Sequence, residues 1–138
     1  MRRGLDPTTR RPRAARAFLT MLVAIALLGG AVEPSSAGGG HKNKRGSCSG
    51  PSSWELDVQR DDGRLRVRFE IRGGKSGQKW NLFLSDNGVG FFAGSRISES
   101  NGHVEVRRRT RDRAGDDRIR AGGNNTVTGE TCRGRLTI

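Results

Sequence analysis

Arg107-Arg108-Arg109-x-Arg111-x-Arg113 places five arginines within seven residues. A guanidinium group is a planar fork of donors that meets two oxygens of a phosphate or sulfate at once, so such a run is suited to holding polyanions. Asp112, Asp116 and Asp117 follow closely and balance part of the charge. Arg107, Arg108, Arg109, Arg111 and Arg113 are therefore the candidate anion-binding residues. The rival expectation is a solvated loop.

Two cysteines, Cys48 and Cys132, are the only thiols in 138 residues. No Cys-x-x-Cys spacing suggests redox exchange. In an oxidising compartment two such cysteines pair, and the bridge would span nearly all of the C-terminal domain. Closing so long a loop is worth about 4–5 kcal/mol in the chain-entropy model.

Other chemistry is thin. His41 and His103 are the only histidines. With both cysteines paired they leave no metal-ligand spacing, so no metal and no cofactor are expected. Asp61-Asp62 and Asp116-Asp117 offer fewer oxygens than a calcium site needs. Gly74-Lys75-Ser76 resembles the end of a phosphate loop, but Phe69 stands where the first glycine belongs and the context is a β-hairpin. There is no free Cys, no Tyr and no nucleophile elbow for a Ser-His pair. No catalytic residue is assigned, and the chain is expected not to be an enzyme.

Alternation identifies the elements that carry these residues. Trp54, Leu56 and Val58 alternate with Glu55, Asp57 and Gln59. After Asp61-Asp62-Gly63, the residues Leu65, Val67, Phe69 and Ile71 alternate with arginines and Glu70. A two-residue turn at Asp62-Gly63 sets Val58 opposite Val67, Leu56 opposite Phe69 and Trp54 opposite Ile71. The other face then pairs Asp57 with Arg68 and Asp61 with Arg64. Trp80, Leu82 and Leu84 begin a third strand, and Asn87-Gly88 turns it into a fourth. That turn predicts Leu84 opposite Phe91 on the core face. It sets Phe83 opposite Phe92 on the outer face, beside Asn81, Ser85, Gly90 and Gly94. Asn81, Phe83 and Phe92 are thus a candidate contact face for a sugar ring or a partner's apolar patch. Ile97 and Val106 flank Asn101-Gly102, Ile119 and Ala121 mark a short strand, and Cys132, Gly134, Leu136 and Ile138 share one face of the last. The expectation is an all-β chain, a single β-sandwich of seven to eight short strands over residues 48–138.

Residues 38–47 are Gly-rich and basic without periodicity and read as a flexible tail. Residues 1–37 read as a secretory signal peptide with a signal helix. Arg2 to Arg16 form a basic region, Ala17 to Leu28 an apolar run, and Ser35-Ser36-Ala37 a cleavage site. The run is shorter than the roughly 20 residues of a membrane span, so no stable anchor is expected after cleavage. Removing this segment takes six arginines and two acids from the precursor's 26 basic and 14 acidic residues, leaving a net charge of +8. That charge favours anionic partners.

Trp80 at the start of the third strand resembles the buried Trp of immunoglobulin-like sandwiches. Asp112-x-x-Gly115-x-Asp117-x-Ile119-x-Ala121 resembles the approach to that fold's penultimate strand. The cysteine positions differ, joining the N-terminal end to the last strand rather than the second strand to the sixth. From Cys48 to Leu136 the chain also resembles small secreted single-domain proteins of high-GC Gram-positive bacteria. Trp54, Gly77-Gln78-x-Trp80, Asn87-Gly88, Arg113-Ala114-Gly115 and Thr128-Gly129-Glu130-x-Cys132 carry that likeness. It implies fold and location only. The functional expectation is a secreted, non-enzymatic binding module whose partner is an anionic cell-wall polymer or an extracellular protein, with no nucleic acid. An inhibitor of an extracellular enzyme, acting through an exposed long loop from Gly122 to Gly129, is the alternative.

Overall fold

The structure is a computed structural model and describes residues 40–138. The expected signal segment 1–37 and its expected cleavage site lie outside the described residues. Eight strands form two antiparallel sheets: β1 His41–Ser47, β2 Ser53–Asp61, β3 Arg64–Arg72, β4 Lys79–Asp86, β5 Val89–Ile97, β6 Val104–Arg111, β7 Arg118–Asn125 and β8 Thr131–Thr137. One sheet has the order β1-β2-β3-β6 and the other β5-β4-β7-β8. The chain crosses between sheets after β3, β5 and β6, as in an immunoglobulin-like sandwich. Among the described residues there is no helix, and none long and apolar enough to cross a membrane.

Alternation explains the core. Leu56, Val58, Leu65, Val67, Phe69 and Ile71 from one sheet meet Trp80, Leu82, Leu84, Ile119 and Ala121 from the other, all buried. Each such side chain contributes about 1.5–3 kcal/mol on leaving water. The β2–β3 register is the expected one in every pair, from Trp54 opposite Ile71 to Asp61 opposite Arg64. Asp62 and Gly63 both have positive φ, 49° and 70°, which matches a turn that follows the strand twist. Cys48 and Cys132 form a disulfide that ties the β1–β2 connection to β8.

Three expectations need correction. Residues 41–47 are not a free tail but an edge strand paired along its length with β2, from His41 opposite Gln59 to Ser47 opposite Ser53. Its inward positions are Lys42, Lys44 and Gly46, which carry no apolar period. Gly46 instead lets β1 lie against the Trp54 indole: a Cβ there would stand 2.6 Å from the ring. Trp54 Nε1 donates to the Ser47 carbonyl at 3.2 Å, and Lys42 Nζ reaches the Thr137 carbonyl at 3.0 Å. Charged edge residues of this kind also block pairing with other chains.

The β4–β5 register differs as well. A bulge between Leu84 and Ser85 sets Leu84 opposite Phe92 and Phe83 opposite Ala93. The extra residue, Phe91, has no partner, as bulges require.

The expected long loop from Gly122 is the third. Gly122 to Asn125 complete β7, and a tight turn leads to β8. Asn125 Oδ1 accepts the N–H groups of Val127 and Thr128 and closes that turn.

Candidate functional site

The outer face of the β1-β2-β3-β6 sheet is a grid of charge. Pairing across the sheet puts Arg45, Glu55, Glu70 and Glu105 in one row. Asn43, Asp57, Arg68 and Arg107 form the next, and His41, Gln59, Arg66 and Arg109 the one after. Asp61, Arg64 and Arg111 end the grid. β3 and β6 therefore face each other with three successive arginine pairs: Arg68 with Arg107, Arg66 with Arg109, and Arg64 with Arg111. Like charges directly opposite are unfavourable by a few tenths to about 1 kcal/mol per pair.

Neighbouring carboxylates offset part of this repulsion. Asp61 takes Arg66 Nε at 2.8 Å and Arg109 at 3.3 Å. The hydrogen bond from Arg66 holds its carboxyl below the usual aspartate range. Arg68 reaches into the glutamate row, 3.0 Å from Glu70 and 3.5 Å from Glu55. Arg107 pairs with Glu105 at 2.6 Å. Arg45 donates to Glu55 at 2.8 Å and lowers that carboxyl's pKa, against the opposing effect of its burial. Arg64 and Arg111 have no ion pair among the described residues. A groove of about 580 Å³ opens over the ladder, lined by Arg66, Arg68 and the consecutive Arg107, Arg108 and Arg109, with Asp57 and Gln59.

The expected anion-binding run is split by strand alternation. Arg107, Arg109 and Arg111 point outward on β6. Arg108 falls opposite Val67, on the inward side at the sheet's edge, with its guanidinium over the Phe92 ring. Arg113 lies past β6, 3.8 Å from Asp86. In their place β3 contributes Arg64, Arg66 and Arg68. Their alternation is plain in the sequence, but their neighbour β6 lies some forty residues on.

The candidate contact face is also divided. Phe83 and Asn81 are on the outer side of the second sheet, where Ser95 Oγ donates to Asn81 Oδ1 at 2.7 Å. The Phe83 ring is 46 % exposed and lies over Gly122, where a Cβ would approach it to 2.2 Å. Phe92 shares the face of Leu84 and packs, half-buried, against the core. The two rings do not form one surface.

Glu70, His103 and Glu105 bring their possible ligand atoms within 4.8 Å of one another. Guanidinium groups already occupy both carboxylates: Arg68 and Arg72 on Glu70, Arg107 on Glu105. These cations stand where a metal ion would have to sit, so the residues do not fit one. His103 Nε2 is 3.4 Å from Glu70, and its ring faces glutamates rather than a serine.

No family model matches this sequence, and no curated protein is significantly similar to it.

Proposed function

We propose that the chain is exported, that residues 1–37 are removed, and that the remaining domain is a non-enzymatic binding module for an anionic cell-wall polymer. The observation that carries the reading is the three-pair arginine ladder of β3 and β6. Along an antiparallel strand, outward side chains recur about every 6.8 Å. The ladder thus offers paired forks at regular intervals to consecutive anionic groups of an extended chain. Bound phosphate or sulfate would relieve the cross-strand repulsion that Asp61 and the glutamate row offset only in part. The disulfide supports an oxidising location. A cut after Ala37 would leave β1 whole.

Retention on immobilised teichoic acid and on heparin tests this. Residues 38–138 should elute late and progressively earlier as salt screens exposed charges over about 8 Å at physiological ionic strength. Arg66→Ser with Arg109→Ser, outward side chains of one cross-strand pair, should elute markedly earlier while melting near the wild-type temperature. Equal elution of both proteins would overturn the reading. Capture of a protein rather than polymer from the envelope would redirect it to a protein ligand.

A further inference from the structure

The outer face of the β5-β4-β7-β8 sheet carries cations without acids. Asp86 is the one acid in its four strands, and it is buried on the inner side. Strand alternation turns Lys79, Arg118, Arg120, Arg133 and Arg135 outward. Among the described residues none of the five enters an ion pair, whereas Asp61 and the glutamates partly match the arginines of the other sheet. An array of unmatched cations attracts anions.

Register arranges this face in rows across β4, β7 and β8. Asn81, Asn124 and Thr131 form one row, Phe83, Gly122 and Arg133 the next, and Ser85, Arg120 and Arg135 the third. Gly122 has no side chain, so the Phe83 ring lies across β7 in the direction of Arg133. The β7 backbone covers one side of the ring, and nearly half of the residue stays exposed. A pocket of about 260 Å³ opens beside it, with Asn81, Asn124, Thr131 and Arg133 as its polar walls. Asn81 Oδ1 accepts Ser95 Oγ, which leaves Nδ2 to donate. The Asn124 amide and the Arg133 guanidinium have no hydrogen-bonded partner among the described residues.

We propose that this pocket binds a hexuronic acid residue of an extracellular glycan. A pyranose ring lays its C–H face on an aromatic ring, and its hydroxyls then need donors and acceptors around the edge. Phe83 is the platform. The amides of Asn81 and Asn124 meet hydroxyls on one side. Arg133, backed by Arg120 and Arg135, takes the carboxylate on the other, where a guanidinium fork meets two oxygens at once. The absence of acids from the face favours an acidic sugar over a neutral one. A single-stranded nucleic acid stacks its bases on successive aromatic rings, and this face offers only Phe83. A polyol phosphate has no ring to stack, so the pocket and the arginine ladder select different ligands. They lie on the outer faces of different sheets and share no residue.

Residues 38–138, labelled with ¹⁵N, are titrated with trigalacturonic acid at about 0.15 M salt, where long-range attraction is screened. Amide shifts should saturate and map to β4, β7 and β8. Neutral galactotriose should bind about tenfold more weakly or less, the loss expected for one charged hydrogen-bonded contact. Phe83→Ala should abolish binding of both sugars. Arg133→Gln, at an exposed position, should weaken trigalacturonate about tenfold and leave galactotriose unchanged, and it serves if Phe83→Ala does not fold. No saturable shift in the wild type, equal affinity for the two sugars, or wild-type affinity in a folded variant overturns the proposal. Shifts confined to β3 and β6 also overturn it, and leave the arginine ladder standing. Tighter binding of oligothymidylate than of trigalacturonate through Phe83 overturns it in favour of a nucleic acid.

Discussion

Arg108 holds its guanidinium carbon 4.3 Å from the centroid of the Phe92 ring. Arg96 approaches the same ring at 5.5 Å. The contact joins the β6 edge to the β5 edge and so closes one side of the sandwich. It takes one arginine out of the basic run and one ring out of the aromatic pair, and it gives both a structural task.

Arg108 and Arg109 are neighbours in sequence and should behave as opposites. Arg108→Ser loses a cation–π contact worth about 0.5–1 kcal/mol at an exposed site. Its elution from an anionic column should change little. Arg109→Ser should elute earlier with nearly unchanged stability. Urea melts and salt-gradient elution of the two variants check the assignment. A larger elution shift for Arg108→Ser would contradict it.

The disulfide should matter most to the unfolded state. Cys48 and Cys132 are 84 positions apart, and releasing that loop costs about 4–5 kcal/mol at most in the chain-entropy model. Cys132→Ser should therefore lower stability by about 2–5 kcal/mol, with strand content retained below the new Tm. Thiol labelling of the native wild type should find no free sulfhydryl.

What was legible in the sequence depended on sequence distance. The β2–β3 hairpin was readable because one register satisfied both the apolar and the charged face. The β4–β5 hairpin was not: a one-residue bulge moves Phe92 across the sheet, and nothing in the alternation of Phe91-Phe92-Ala93 announces it. β1 was illegible because an edge strand with Lys42, Lys44 and Gly46 turned inward has no apolar period. The arginine ladder and the Asn124 and Arg133 walls of the Phe83 pocket were illegible for a different reason. Each is made by pairing between segments far apart in the chain, and local patterns do not report such partners.

Gly102 and Gly63 separate conformational strain from collision. Both have positive φ, 75° and 70°. A Cβ on Gly63 would meet nothing within 4 Å, whereas one on Gly102 would stand 1.8 Å from the Gly74 carbonyl oxygen. Backbone cannot turn aside as a side chain can. Gly63→Asn should stay within about 1 kcal/mol of wild type, since Asn tolerates this region. Gly102→Ala should cost at least about 2 kcal/mol, from a strained backbone together with displacement of the β3–β4 connection. Chemical denaturation of both variants gives the comparison.

Stability should respond to pH through two opposed sets of carboxyls. Glu55 and Asp61 are held below their usual range by Arg45 and Arg66, so each contributes stability that is present above its unfolded pKa and lost as pH falls through its folded one. Asp86 and Asp117 are raised, chiefly by burial. Their native forms bind protons more tightly than the unfolded chain does. Stability from this source is complete below the unfolded aspartate value of about 3.9 and declines as pH rises through the native values. The wild type should rise in stability up to about pH 4, then fall towards neutrality by at most about 1.4 kcal/mol per pH unit for each proton released. Asp86→Asn replaces one of these carboxyls by a neutral group of the same shape and relieves Asp117 of a like charge. Its curve should run close to that of the wild type near pH 4 and lie above it at pH 7. Urea midpoints taken from about pH 3.5 to 7.5 measure this directly. Parallel curves would show that Asp86 does not titrate with folding.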